Sequence, residues 1–377
     1  TVTDEATKAP LEFSKVLLKQ AGAIRGSALT DEKGKFQING IQPGSYDVEV
    51  RNAEGGYQNL TMEGVSISPD RITFLDNLAL TTKTQETKEV KVVRYKVPLI
   101  DKDGGASGAT VTREDIARLP ARSATAVAGT VGGVNVNEGS GAISVRGTRS
   151  DATYFYIDGI KVRGSSNLPK SALEEVSVIT GGVPANIGDV TGGVINISLR
   201  SASANYTGGV EAITSGFKIG DNVYGLDKYG YNLLEGSLSG PLVFRKNPDG
   251  TKSKKPLLGF FVSGNYTDIV DGGPTFGGVY KMKDENLAAL LENPLRQNVQ
   301  ADGTVNGALY NADFLGSDAF EKIDTRLNVR NRTANVVGKI DLTATQNTTF
   351  TVGGTAAYRR GNDFDYSNML MNYANNQ

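Results

Sequence analysis

The sequence predicts a mainly β protein in three successive parts: a small N-terminal β-sandwich, a mixed α/β domain, and the first strands of a large transmembrane β-barrel. Three observations carry that reading. Residues 1–82 alternate short apolar runs with Gly and Pro turns. Residues 111–200 combine two cap-marked helices with compact strand pairs on a Gly-dense background. From residue 207 onward the chain falls into stretches of about 10 residues that are apolar on one face and polar on the other, as strands spanning a membrane are.

In residues 1–82 the β-branched run Phe13–Lys19 reads as a strand, and Asp31–Gly34 as a turn between Gly26–Leu29 and a further strand, Lys35–Ile38. Pro43-Gly44 turns the chain into Ser45–Arg51, where Tyr46, Val48 and Val50 alternate with polar residues. Val65–Ile67 and Arg71–Leu80 supply two more strands. Short strands at this spacing, separated by turn residues, predict a sandwich. One edge then lacks a cover, which reads as a start clipped at Thr1.

Residues 83–110 form a linker. Thr81–Lys88 is polar and without period, and Gly104–Gly108 is a flexible stretch. Between them Glu89, Val90, Lys91, Val92, Val93, Arg94 and Tyr95 make a β-prone run with no obvious partner strand in its own domain. Two readings stay open: a spacer that completes the sandwich, or a docking strand that adds to the exposed sheet edge of another protein.

In residues 111–200, Thr112 followed by Glu114 and Asp115 marks a helix start, with acids in the first turn. Leu119-Pro120 stops that helix, and Ser123 caps a second one running to Ala128. Strands are expected at Ala142–Arg146, Tyr154–Ile157, Leu173–Thr180 and Gly193–Leu199, with a turn at Asp158-Gly159. The paired Glu174-Glu175 would point to opposite faces of its strand, which does not suit paired acid–base work.

Residues 201–377 carry the long strands. In 333–344, Ala334, Val336, Gly338, Ile340, Leu342 and Ala344 share one face, opposite Thr333, Asn335, Val337, Lys339, Asp341 and Thr343. The same alternation recurs in 349–359 and 257–266, with further strands at Tyr231–Leu242 and, more weakly, Thr207–Lys218. A tight link at Thr345–Asn347 contrasts with the long excursion 268–331, as in outer-membrane barrels. Five strands cannot close a barrel. Either the strands belong to a longer barrel chain or they form a one-sided soluble sheet.

Composition removes most catalytic chemistry. There is no Cys, His or Trp among 377 residues, so thiolate sites, imidazole metal ligands and His-based relays are all missing. Forty basic residues balance 41 acidic ones, which leaves no basic footprint for nucleic acid. No phosphate loop or nucleophile elbow is present. Asp101-Lys102-Asp103-Gly104 starts like a calcium loop, but Ala106 and Thr112 stand where ligands are needed. The expectation is a non-enzyme without metal or cofactor.

Six short pieces in order carry a resemblance: Thr112-Arg-Glu-Asp-Ile with Leu119-Pro120; Gly133-Val-Asn-Val136; Ile143-Ser-Val-Arg-Gly147; Tyr156-Ile-Asp-Gly159; Leu173-Glu-Glu-Val176 with Val178-Ile-Thr-Gly181; and Gly192-Gly-Val-Ile-Asn196. Together they resemble the plug domain of TonB-dependent outer-membrane receptors, and 1–82 is similar to the carboxypeptidase-regulatory-like sandwich that precedes the plug in Bacteroidetes members. The resemblance implies a TonB box at Glu89–Tyr95, TonB and outer-membrane lipid as partners, and an unidentified external ligand. It places the protein in the outer membrane, with sandwich and TonB box in the periplasm. Arg146, Asp158 and Glu175 are the implied plug anchors. Thr180 stands where the family often has Arg, and Gly181–Gly193 departs from the Ala/Ser-rich segment of glycan importers, which speaks against a SusD-type lipoprotein partner. The expected function is an active importer; the alternative is an envelope recognition or scaffold protein without transport.

Overall fold

The computed structural model describes residues 1–20, 23–41, 44–52, 56–67, 72–75, 78–83, 91–95, 107–137, 141–162, 168–185, 187–246, 252–344 and 348–376. They form two compact units. One comprises 1–209, 236–264 and 335–356, the other 210–235, 265–334 and 357–377.

The first unit begins with the sandwich. Its strands are β1 (Val2–Asp4), β2 (Lys15–Gln20), β3 (Ala23–Leu29), β4 (Gly44–Arg51), β5 (Leu60–Ile67), β6 (Leu78–Leu80) and β7 (Lys91–Arg94). A five-stranded sheet in the order β3-β2-β4-β5-β7 is accompanied by the parallel pair β1-β6. Val16, Leu18, Val48, Val50, Leu60, Leu78 and Leu80 fill one shared core. Alternation along β4 is what delivers Tyr46, Val48 and Val50 to that core. The expected strand Lys35–Ile38 does not form, and of Arg71–Leu80 the described strand is Leu78–Leu80. Residues 35–39 and 72–75 are irregular. Phe36, Ile38 and Ile41 nevertheless pack against the core, so their apolar pattern reports burial rather than a ladder.

The mixed domain contains β8 (Ser107–Thr112), α1 (Arg113–Arg118), α2 (Ala124–Ala128), β9 (Val134–Val136), β10 (Ile143–Val145), β11 (Tyr154–Ile157), β12 (Ile160–Val162), β13 (Leu173–Gly181) and β14 (Val194–Leu199). Both helices start at the expected caps. The Asp115 carboxylate accepts from the Thr112 hydroxyl at 2.7 Å, and Ser123 Oγ accepts from the Ala126 amide at 3.2 Å. The main sheet runs β12-β11-β14-β13-β8, with β11 parallel to β14 and the other pairs antiparallel. Asp158 (φ 48°) and Gly159 (φ 83°) close the β11–β12 hairpin, both in the left-handed region that a two-residue turn of this kind requires. Gly108 is obligatory for a different reason. A Cβ there would lie 1.9 Å from the Val178 carbonyl oxygen on β13.

The long strands are β15 (Thr207–Thr214), β18 (Tyr231–Lys246), β19 (Lys252–Ile269), β24 (Asn331–Thr343) and β25 (Thr349–Arg360), hydrogen-bonded in that order. The short hairpin β16 (Gly216–Ile219)–β17 (Asn222–Gly225) lies between the first two in sequence. The 268–331 excursion is structured: β20 (Val279–Met282) pairs with β23 (Phe320–Ile323), while α3 (Asp284–Glu292) precedes the hairpin β21 (Leu295–Val299)–β22 (Val305–Tyr310).

In the second unit, buried ion pairs do the organising. Asp271 is fully buried and accepts from the Arg326 amide and Nε, each at 3.0 Å. Lys281, also buried, meets Asp221 at 2.8 Å, Glu321 at 3.1 Å and Asp284 at 3.3 Å. The hydrogen bond to Asp221 leads in holding its ammonium well above the usual lysine value, against the opposing effect of burial. No helix among the described residues is long and apolar enough to cross a membrane, which says nothing of strands.

Candidate functional site

The long strands are built inside out. Glu235, Ser239, Ser263, Asn335, Lys339 and Asp341 are between 1% and 8% exposed, whereas Leu234, Leu238, Leu242, Val262, Val336, Ile340 and Leu342 are 39% to 55% exposed. Among these residues the even-numbered apolar ones face outward and the odd-numbered polar ones inward, where Leu233, Phe261 and Val337 are buried as well. A water-facing sheet would invert this, because each exposed aliphatic side chain forfeits its burial free energy. A strand between lipid and a filled polar lumen satisfies both faces.

What fills the inner face within the first unit is the mixed domain. Lys339 on β24 reaches Asp158 of the β11–β12 turn at 2.5 Å, and its ammonium also donates to the Leu199 carbonyl at 3.1 Å. Asp158 accepts in addition from the Leu199 amide at 2.9 Å. The turn that the left-handed Asp158-Gly159 pair creates is therefore what presents the carboxylate to the strand wall. Two residues along β24, Asp341 accepts from the Ala202 amide at 2.9 Å and from the Thr351 hydroxyl at 2.7 Å. Ser171 and Ser263 share a hydrogen bond of 2.7 Å, and the Ser203 amide donates to Ser239 Oγ at 2.8 Å. Phe261 and Val337 extend the apolar core of the mixed domain into the wall. Arg200 lies over the Phe261 ring at 5.3 Å. Burial holds its guanidinium below the usual arginine value, with repulsion from Arg113 adding and attraction to Glu174 opposing.

The mixed domain also meets the sandwich. Glu175 accepts from the Ser66 hydroxyl at 2.8 Å and Glu174 from the Ser45 amide at 3.2 Å. A register shift between Leu173 and Glu175 interrupts the strand's alternation. Both carboxylates consequently reach the same neighbour, which corrects the expectation that they serve opposite faces. Arg25 donates to the Ala202 carbonyl at 3.0 Å, completing this contact.

The three residues expected to anchor the domain thus have three different surroundings. Asp158 meets the strand wall and Glu175 the sandwich. Arg146, with φ 50°, is exposed and donates to Ser107 at 2.9 Å inside its own domain. Lys339 and Asp341 were missed by sequence reasoning. Their signal was available: two charges, i and i+2, on the polar face of an otherwise apolar-faced strand.

The candidate docking strand has a partner after all. Lys91–Arg94 pairs in parallel with β5, Leu60 opposite Lys91 and Glu63 opposite Arg94, and the Tyr95 amide donates to the Glu63 carbonyl at 2.8 Å. The expectation of an unpartnered segment is corrected: β5 was an open edge, and a β-prone run a short linker away completes it. β7 is itself the last strand of that sheet, with Val92 and Val93 exposed. Glu89 and Val90 lie outside the described residues, as does Asp101–Gly104.

Comparison with known proteins decides what this arrangement is. Residues 100–194 match the TonB-dependent Receptor Plug Domain, and residues 1–81 the Carboxypeptidase regulatory-like domain. Residues 100–194 are thus similar to the plug of TonB-dependent receptors. Over 358 residues it is 23% identical to the TonB-dependent transporter Oar of Myxococcus xanthus, covering 87% of this chain and 30% of that protein. Over 150 residues it is 31% identical to the Iron-regulated outer membrane virulence protein of Vibrio cholerae, covering 35% of this chain and 23% of that protein. Among solved structures, the siderophore receptor PirA from Acinetobacter baumannii matches with TM-score 0.42 at 19% identity, over 67% of this chain and 31% of that one. The chain spans less than a third of the length of these proteins. Lys339 on the strand wall meets the sheet β12-β11-β14-β13-β8 through Asp158 and the Leu199 carbonyl.

Proposed function

We propose that the chain is the N-terminal part of an outer-membrane active importer, in which the plug closes a barrel lumen and TonB, driven by the proton-motive force, opens it. The observation that carries this reading is the inside-out wall with the plug seated on its polar face through Lys339–Asp158. A scaffold without transport has no use for buried charges that hold a removable domain, since each such pair is costly to desolvate. On this reading the sandwich and Glu89–Tyr95 face the periplasm.

Coupling is assigned to strand addition at Glu89–Tyr95. As the last strand of its sheet, β7 offers an unused ladder edge to which TonB adds, main chain to main chain. Ligand binding shifts the population in which that edge is accessible. Force then passes from β7 through the sandwich and the Glu174–Ser45 and Glu175–Ser66 contacts to β13 of the plug. Deletion of 89–95 in the natural full-length protein abolishes uptake and leaves ligand binding at the cell surface unchanged. Uptake at the wild-type rate, measured with the same labelled ligand, would sink the assignment.

A further inference from the structure

The excursion 268–331 contains a hairpin with one bare face. β21 (Leu295–Val299) and β22 (Val305–Tyr310) form a sheet of two strands, and no third strand joins them among the described residues. One face is backed: Arg296 stacks on the Phe314 ring, and Asn298 and Leu309 on the same side are half-buried. On the other face Leu295, Val299, Val305 and Tyr310 are 51% to 66% exposed, with Gln297 and Ala308 between them. An isolated two-stranded ladder is marginal in water and gains from a third strand.

The backbone shows which groups are unused. Asn311 donates its amide to the Pro294 carbonyl at 2.9 Å, and Gln300 donates its amide to the Thr304 carbonyl at 2.8 Å. Ladder bonds alternate along an antiparallel strand. The amides and carbonyls of Leu295, Gln297 and Val299 therefore point away from β22, and no main-chain partner meets them among the described residues. The opposite edge is blunted. A register shift puts an extra residue in β22 opposite Gln297–Val299, where Gly307 takes φ 80°. Such a bulge bends its strand and interrupts the outer row of ladder groups. β21 has no such defence. It carries neither proline nor bulge, and its one charge, Arg296, is turned to the backed face.

We propose that β21 takes up an extended polypeptide segment of an external partner as a third strand, paired main chain to main chain along Leu295–Val299. The proposal rests on the importer reading above, because barrels keep their long connections outside the cell. The open edge fixes the chemistry of the partner. Its row of amides and carbonyls is satisfied by another extended main chain, whereas a saccharide or a small chelate offers no matching repeat. Leu295 and Val299 flank Gln297 on the bare face, so the added strand carries apolar side chains at every second position, where cross-strand pairs stabilise the ladder. No charge on that face selects the sign of the partner.

The test uses the natural full-length protein, purified in detergent, and a fluorescent heptapeptide of alternating threonine and valine. Wild type is expected to bind this probe with a rise in anisotropy. The same peptide N-methylated throughout keeps every side chain and loses its amide donors, and should bind about 10-fold more weakly. Gln297→Pro removes an outward amide that the hairpin does not use, and should weaken binding of the unmethylated peptide by about the same factor. Gln297→Lys keeps the amide and adds a charge to the edge; a smaller loss is expected, and it covers the case in which the proline disturbs the hairpin. Ala308→Pro, on the bulged strand, should leave binding unchanged. No binding by wild type, equal binding of the two peptides, or equal binding by wild type and both Gln297 variants overturns the proposal. So does an equal loss in Ala308→Pro, which would remove β21 as the edge used. A dimer of the wild-type protein that Gln297→Pro dissolves would make a second copy the occupant and overturn the external partner. An epitope inserted at 301–303 separates the two failures. If antibody cannot reach it on intact cells, the outer-loop placement fails and the importer reading with it; if antibody reaches it and no peptide binds, the proposal for β21 fails alone.

Discussion

Asp158 shows how much one residue can be asked to do. Its left-handed backbone closes a hairpin, and its carboxylate meets the plug's own Leu199 amide and the wall's Lys339. Asn tolerates the same backbone conformation, so Asp158→Asn removes the charge and keeps the turn. Lys339, 8% exposed, is then left without its counter-charge. Breaking a fully buried pair costs about 3–5 kcal/mol. Because the Asp158 side chain is a third exposed, about 1–2 kcal/mol is expected here. Hydrogen exchange should accelerate about 10-fold in β11, β12 and β14 while the sandwich is unaffected; unchanged exchange in those strands would show that the pair does not hold the plug. Asp158-Gly159 was legible in sequence as a turn. Its partner was not, because Lys339 is 181 positions away and only folding brings the two together.

Among the elements, the sandwich sheet has its own charge lock. Glu49 on β4 binds Lys19 on β2 and Arg51 on its own strand. Burial by itself would raise the Glu49 carboxyl, but the hydrogen bonds to Arg51 and Lys19 outweigh it and hold the group below its ordinary value. A carboxyl depressed by folding contributes stability above its unfolded value, about 4.3, and loses it as pH falls through the lower folded value. Protection of the Val16, Val48 and Val50 amides should therefore decline on acidification through that window. Glu49→Gln should flatten the decline, and an identical pH response in the variant would remove Glu49 as its source. The element-level reading was uneven for a physical reason. Helix caps and hairpin turns were visible because their signals are local, Thr112 and Ser123 before α1 and α2, Asp158-Gly159 after β11. Lys35–Ile38 read as a strand because Phe36 and Ile38 alternate, yet burial alone explains the alternation.

For the whole molecule the decisive property is which face of the long strands meets what. Ile340 lies outward near the middle of the apolar series of β24 and is 48% exposed. Placing Arg there should cost about 2–4 kcal/mol in a bilayer. Ile340→Arg is thus expected to reduce the heat-modifiable, folded fraction in outer membranes. Thr355→Arg, on the polar face of β25, should have a smaller effect. Equal recovery of both would favour a soluble sheet over a membrane wall.

By itself, the sequence determined the order of domains, the alternation of the long strands, the caps and turns of the plug, and the absence of thiol and imidazole chemistry. All of these are set by neighbours within a few residues or by composition. Tertiary structure decided the rest: that Glu89–Tyr95 has its described part on the sandwich edge, that Lys339 meets Asp158 and Asp341 the Ala202 amide, and that Glu174 and Glu175 both reach the sandwich. Each of these joins residues far apart in the chain, and a pattern of period two says which face a side chain takes but never which partner waits there.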